Sequence, residues 1–329
     1  MPMNVKYLMG IVIIISLLLF PLFANPSLVH VMILIFLYAF LGESWNILGG
    51  LGGQLSLGHA IFFGLGAYIS TLLSIHLNVS PWLGLIIAGL TSSAIAVLIS
   101  YPVFHYKLRG AYFALVTLAY GEIFEKVGTR MNSIGGALGL VIPLKDESWW
   151  AFQFKQKIPY YYIMLVLTAI AVGITYWIKR SRMGYLLAGI REDEDAAEAL
   201  GVEITRYKLW ATAISAFLTA IGGVFYAQYV MFIDPKTTLS VFLSIEVILR
   251  PIIGGMGTVF GPVLGSFLLT PLSELARVVM GGGRSGVHLL VYGIALIVVC
   301  LLMPKGIAVV IGNRLAPLFR KKPWSPRGL

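Results

Sequence analysis

Long apolar runs separated by short polar breaks dominate this chain. They cover about residues 8–23, 28–48, 60–77, 82–104, 110–128, 160–178, 208–231, 239–253, 258–280 and 286–303. About 20 apolar residues cross the hydrocarbon core of a bilayer. A chain in lipid must also satisfy its backbone hydrogen bonds internally. The pattern therefore predicts an all-α, polytopic membrane helix bundle of about ten transmembrane segments, forming a single domain over residues 1–329. The run at 239–253 is short, and it either spans or re-enters. The first run follows a single basic residue, Lys6, with no clear small-residue cleavage site after it. It reads as a retained helix rather than a removed leader.

The polar breaks carry a charge bias. Lys107 and Arg109 lie between runs four and five. Lys179, Arg180, Arg182, Arg191, Arg206 and Lys208 lie between six and seven, and Lys305, Arg314, Arg320, Lys321, Lys322 and Arg327 follow the tenth. Ten crossings put these groups and Lys6 on one face, which the positive-inside rule assigns to the cytoplasm, with both termini inside. The break at about 180–206 is then a cytoplasmic loop and that at about 129–159 an external one. The external loop holds Lys145, Lys155 and Lys157, which weaken the bias without reversing it. Its Trp149-Trp150 and the following Tyr160-Tyr161-Tyr162 predict an interfacial aromatic belt.

Composition agrees. The chain is 58% hydrophobic and 12% charged, against about 25% charged in soluble domains. The net charge of +10 is then a matter of topology. No soluble basic domain is available to bind nucleic acid, and that class is excluded. One cysteine, Cys300, and five scattered histidines offer neither a disulfide framework nor metal-ligand spacing. No Gly-x4-Gly-Lys-Ser/Thr loop, nucleophile elbow or His-Glu-x-x-His pattern occurs. The expectation is a chain without cofactor, metal or catalytic residues, one that does not itself hydrolyse nucleotide.

Four groups of residues stand out. The first is Arg191-Glu192-Asp193-Glu194-Asp195-Ala196-Ala197-Glu198-Ala199-Leu200-Gly201, a dense charged stretch in an apolar chain. Alanine and glutamate favour a helix, the acids at its start suit the dipole, and Gly201 suits its end. A single short helix over 191–201 is expected. It is a solvated loop helix or, given the small Ala196-Ala197 pair among acids, a contact surface. The second group is two glycine clusters, Gly49-Gly50-Leu51-Gly52-Gly53 continued by Gly58, Gly64 and Gly66, and Gly254-Gly255-Met256-Gly257 continued by Gly261 and Gly265. Gly257, Gly261 and Gly265 recur every four residues, as on one packed helical face; broken helices also need glycine. The third is Gly53-Gln54-Leu55-Ser56-Leu57-Gly58-His59, which either lines a pathway or forms a tight turn. The fourth is charge in or near apolar runs: Glu43, Glu122, Glu125, Glu246, Arg250 and Glu274. Charges at membrane depth are costly and are candidates for function. Glu246 and Arg250 are spaced to pair along a helix.

Four stretches resemble the branched-chain amino-acid ABC transporter permease family, of the LivM type. They are Glu43–Gly50 continuing through Gly53–Ala60, then Gly189–Gly201, then Gly254–Gly265, and finally Met303-Pro304-Lys305-Gly306. Asp195-Ala196-Ala197, three residues, then Gly201 resembles the loop by which ABC importer permeases grip their ATPase. The general motif begins with Glu where this chain has Asp195. The resemblance implies a permease subunit paired with a second, homologous permease. It further implies two cytoplasmic ATPases and an external substrate-binding protein. Branched-chain amino acids are the implied substrates, with urea, short amides or other amino acids as alternatives. An ion-coupled secondary transporter, which would leave the charged loop unexplained, and a membrane scaffold or receptor without transport are the competing classes.

Overall fold

The computed structural model describes residues 5–144 and 148–279, together with Gly293. The expected tenth run, Cys300, the Met303–Gly306 stretch and the basic C-terminal tail lie outside the described residues.

Helices α1 (Val5–Phe23), α2 (Pro26–Asn46), α3 (His59–His76), α4 (Pro81–His105), α5 (Ala111–Arg130) and α6 (Lys157–Arg180) follow the first six apolar runs closely. Helices α7 (Arg182–Glu192) and α8 (Glu194–Ala199) occupy the charged break. They are followed by α9 (Ile204–Val230), the single turn α10 (Pro235–Thr238), α11 (Val241–Gly255) and α12 (Gly261–Val279). Among the described residues, six helical stretches are long and apolar enough to cross a membrane: Pro26–Leu51, His59–His76, Pro81–His105, Lys157–Arg180, Ile204–Val230 and Pro235–Gly255. The helix starts are chemically marked. Ser80 and Ser240 accept hydrogen bonds from Trp82 N and Phe242 N, and Pro26 and Pro81 sit in first turns, where a missing N–H costs nothing.

Helices α2 and α9 form the centre. Phe40, Trp45 and Phe225 are almost wholly buried there. The seam between α3 and α9 is closer than side chains allow. A Cβ on Gly66 would lie 2.1 Å from Ala220 O, and one on Gly223 would lie 1.9 Å from Phe63 O. Without a hydrophobic drive between helices in lipid, such backbone approach supplies the packing.

The two ends of the bundle differ. At one end, β1 (Leu140–Val141) pairs antiparallel with β2 (Phe232–Ile233), tying the 131–156 loop to the end of α9. Trp149 and Trp150 are exposed there, as an aromatic belt requires, but Tyr160 and Tyr161 are 6% and 0% exposed. Tyr161 donates to Leu17 O at 2.7 Å and packs on Phe20 and Phe36. These two tyrosines are core residues that fasten α6 to its neighbours and do not belong to the belt. At the other end lie the 180–203 segment and both glycine clusters.

Candidate functional site: a clamped loop on two helix breaks

The charged stretch is two helices, not one. Asp193 leaves the helical region, with φ −155° and ψ 112°, and its carboxylate caps α8 by accepting from Ala196 N at 3.0 Å. Aspartate competes with helical hydrogen bonding through such local bonds, and an acid run places that competition mid-segment. Gly201 ends α8 as expected. It sits at φ +83°, while Gly201 N donates to Glu198 O and Val202 N to Ala197 O. This double closure needs a residue that tolerates the left-handed region.

Helix α8 is held by basic residues from the α4–α5 turn. Arg109 makes a forked pair with Asp195, at 3.0 and 2.8 Å, and its Nε lies 2.8 Å from Glu194 Oε2. Lys107 Nζ lies 2.7 Å from Glu198. Lys208, buried in α9, reaches the other Glu194 oxygen. A bidentate guanidinium–carboxylate pair fixes geometry as well as charge. Arg109 holds the Asp195 carboxyl below the usual carboxylate range, first by hydrogen bonding and then by its charge. Lys107, Arg109 and Lys208 enter the sequence reading only as topological charge. Their role arises because the 105–110 and 180–203 segments meet at the same end.

The loop is also fastened to the glycine clusters. Arg191 Nη1 donates to Gly50 O at 2.9 Å, and its side chain lies against Gly53 and Gly257. Gly50 belongs to a wide helical turn, Ile47–Leu51, that prolongs α2. Single wide turns of this kind recur at functional sites. Asn46 joins the two clusters. Its Oδ1 accepts from Gly257 N at 2.8 Å and its Nδ2 donates to Thr258 O at 2.9 Å. Lys179 adds a bond to Gly257 O at 2.7 Å. The two glycine clusters, separate in sequence, are one junction with Arg191 set into it. The expected face of Gly257, Gly261 and Gly265 is corrected. Gly257 lies in the break at φ +74°, and only Gly261 and Gly265 face α11, where Gly254 and Gly255 approach them.

Ala196 and Ala197 are not an exposed pair. Ala197 is 7% exposed and faces inward, whereas Ala196, Glu192 and Leu200 are on the surface, Leu200 at 85%. The three basic residues that pair with the acids of α8 hold the helix in this orientation. An arginine at Ala197 would disrupt the loop itself, and Ala196 is the position to probe for docking.

The Gly53–His59 stretch is a tight, bonded connection. His59 is fully buried, with Nε2 2.7 Å from Ser215 Oγ and Nδ1 3.2 Å from Ser56 Oγ. Trp45 donates to Ser56 O, Gln54 lies 3.4 Å from Glu194, and Ala60 N donates to Ser244. Gln54, Ser56, His59 and Ala60 therefore tie α2, α3, α8, α9 and α11 together, and Gly58 packs on Thr117 O. Glu43 is fully buried beside Asn46 and Thr175. Neither of its oxygens meets hydrogen-bond geometry among the described residues. Glu122 and Glu125 pair with Lys126 near the end of α5.

Glu246 and Arg250 do pair, at 3.9 Å, and Arg250 also donates to Glu246 O. Tyr38 completes the group. Its hydroxyl donates to Glu246 Oε2 at 2.8 Å, and the 1%-exposed Arg250 stacks on its ring at 3.5 Å. Breaking such a pair on one side strands a charge. Glu246→Gln and Arg250→Gln are each expected to lower folded yield, and the double variant to lose less than the sum. Yields in detergent at matched expression test this, and strictly additive losses would mean no coupling.

An all-α membrane bundle whose charged loop is locked into its own helix breaks has the build of a transporter's membrane subunit. Over residues 27–300 the chain matches the family described as the permease component of branched-chain amino acid transport systems. This chain belongs to that family, and it is an integral membrane protein. It is 30% identical to the high-affinity branched-chain amino acid transport system permease protein LivM of Salmonella typhimurium, over 78% of this chain and 65% of that protein. It therefore spans about two thirds of that relative's length. The fructose import permease protein FruF of Bifidobacterium longum is 25% identical over 76% of this chain and 69% of its own. The branched-chain permease protein LivH of Escherichia coli is 23% identical over 82% and 90%. No solved structure matches.

Proposed function

We propose that this chain is the transmembrane permease subunit of an ATP-driven, binding-protein-dependent ABC importer of branched-chain, apolar amino acids. It pairs with a homologous second permease of the kind represented by LivH. Two cytoplasmic ABC ATPases drive the pair, and an external substrate-binding protein delivers cargo. The protein forms one domain of about ten spans in the inner membrane, surrounded by lipid, with both termini cytoplasmic. The 180–206 segment is the coupling loop and the 129–159 segment faces outside.

The observation that carries this reading is the loop itself. Helix α8 is clamped by Lys107, Arg109 and Lys208, and Arg191 ends in the junction of both glycine breaks. Ala196 and Leu200 face outward for the ATPase. A push on α8 is thereby delivered to α2 and to the α11–α12 turn. Co-expression with the partner permease, ATPases and binding protein, reconstitution, and measurement of ATP-dependent L-leucine uptake test the function. Import of urea, a short amide or a sugar in place of leucine would correct the substrate, and uptake without any ATPase would overturn the class.

The topology has its own test. Cysteines at Glu198 and Gln153 are expected to react with an impermeant maleimide from opposite sides of the membrane. Labelling of both from one side would refute ten crossings.

A further inference from the structure

A cavity of about 250 Å³ lies between α2, α3, α9 and α11, nearer the end that bears the β ribbon. Its walls are mainly apolar and aromatic, including Leu37, Tyr38, Phe63 and Leu243, with Thr237 and Ser240 at the α10–α11 end. Two charged side chains of opposite sign also line it, Glu246 and Lys236. A water occupies about 30 Å³ of liquid, so the space suits one small molecule rather than a peptide.

The acid is set, not free. Tyr38 donates to Glu246 Oε2, Arg250 lies 3.9 Å from the same oxygen, and Arg250 is stacked on Tyr38. These contacts occupy one carboxylate oxygen, and no hydrogen bond to Oε1 is formed among the described residues. Lys236 sits at the ribbon end on α10, exposed, with no ion-pair partner among the described residues. A lysine stem is long and flexible enough to place its ammonium over a cavity mouth. Apolar walls with an acid and a base match a molecule that carries both charges and an apolar side chain.

We propose that this cavity is a binding site in the permease for one zwitterionic apolar amino acid, its ammonium on Glu246 and its carboxylate on Lys236. Tyr38 and Arg250 are positioning residues that aim Glu246. The inference rests on the importer reading above and deepens it. A sugar or urea would leave Lys236 without an ionic partner and bring no cation to the second oxygen of Glu246, and sites built for polar partners reject analogues that lack them.

The test uses the full reconstituted transporter and a photoreactive diazirine analogue of L-leucine. Irradiation during turnover is expected to give adducts on Leu34–Leu41, Phe63, Tyr226 or Phe242–Glu246, mapped by mass spectrometry. Excess L-leucine should suppress them, whereas L-leucinamide, which lacks the carboxylate, should not. Lys236→Gln and Glu246→Gln should each lower adduct yield about tenfold or more, as the loss of a bond to a charged group implies. Lys236 is on the surface, so its variant keeps the claim testable if Glu246→Gln folds poorly. Adducts elsewhere in a transporter that imports leucine would overturn the site alone, and equal competition by leucinamide would overturn the ionic assignment. Failure of the wild-type assembly to import leucine would overturn the importer reading and this site with it.

Discussion

Arg191→Ala is expected to cut ATP-driven uptake about tenfold or more, a barrier change of roughly 1.4 kcal/mol, while the ATPase stays bound. Arg191 is the rod between the loop and the helix breaks, with its guanidinium on Gly50 O and its stem against Gly53 and Gly257. Removing it leaves α8 in place, because the Arg109, Lys107 and Lys208 pairs are untouched. The outward Ala196 and Leu200 also remain. On the proposed function, what is lost is the link by which motion of the loop reaches α2 and the α11–α12 turn. Arg191→Lys should recover part of the rate, since one cation can still reach a carbonyl but not fork. Ala196→Arg should give the contrasting result, with ATPase association and uptake lost together. ATPase pull-down and leucine uptake, measured on the same membranes, separate the two. If Arg191→Ala transports at the wild-type rate, the glycine junction is not on the coupling route.

Gly223→Val is expected to remove nearly all folded protein. A Cβ there would lie 1.9 Å from Phe63 O and 3.1 Å from Ala67 N, both backbone atoms that cannot swing aside. Helices α3 and α9 would have to part along the seam that carries the core. Overpacking costs about 1–3 kcal/mol where side chains can adjust, and here the obstruction is main chain. Stabilities of about 5–15 kcal/mol leave limited room for such a change. Gly173→Ala is the control, because that position on α6 has open space around it. It should match wild type in monodisperse yield and thermal midpoint. Equal yields for the two variants would mean that the α3–α9 seam is looser than the structure implies.

The sequence by itself determined the helices. Among the described residues, nine of the apolar runs are helices with edges shifted by a few residues at most, and six helical stretches there are long and apolar enough to cross a bilayer, where the backbone must bond internally. It also singled out Arg191, Asp195 and the glycine clusters, which are charged or conformationally special wherever they stand. What they do was decided by tertiary structure. Periodicity cannot say that Lys107 and Arg109 meet α8, because the 86 residues separating Arg109 from Asp195 are brought together only by helix packing. It cannot say that Asn46 meets Gly257, 211 residues away, and so bridges the two glycine clusters. Nor does it distinguish a surface tyrosine from the buried Tyr161, since both suit an apolar helix end. Asp193 could have been read as a cap from its place before acids and alanines, but helix propensity spread over the whole stretch concealed it. Local chemistry fixes which segments are helical and where they end. The burial of a particular face and the meeting of distant charges depend on how those helices pack, and packing is a property of the whole bundle.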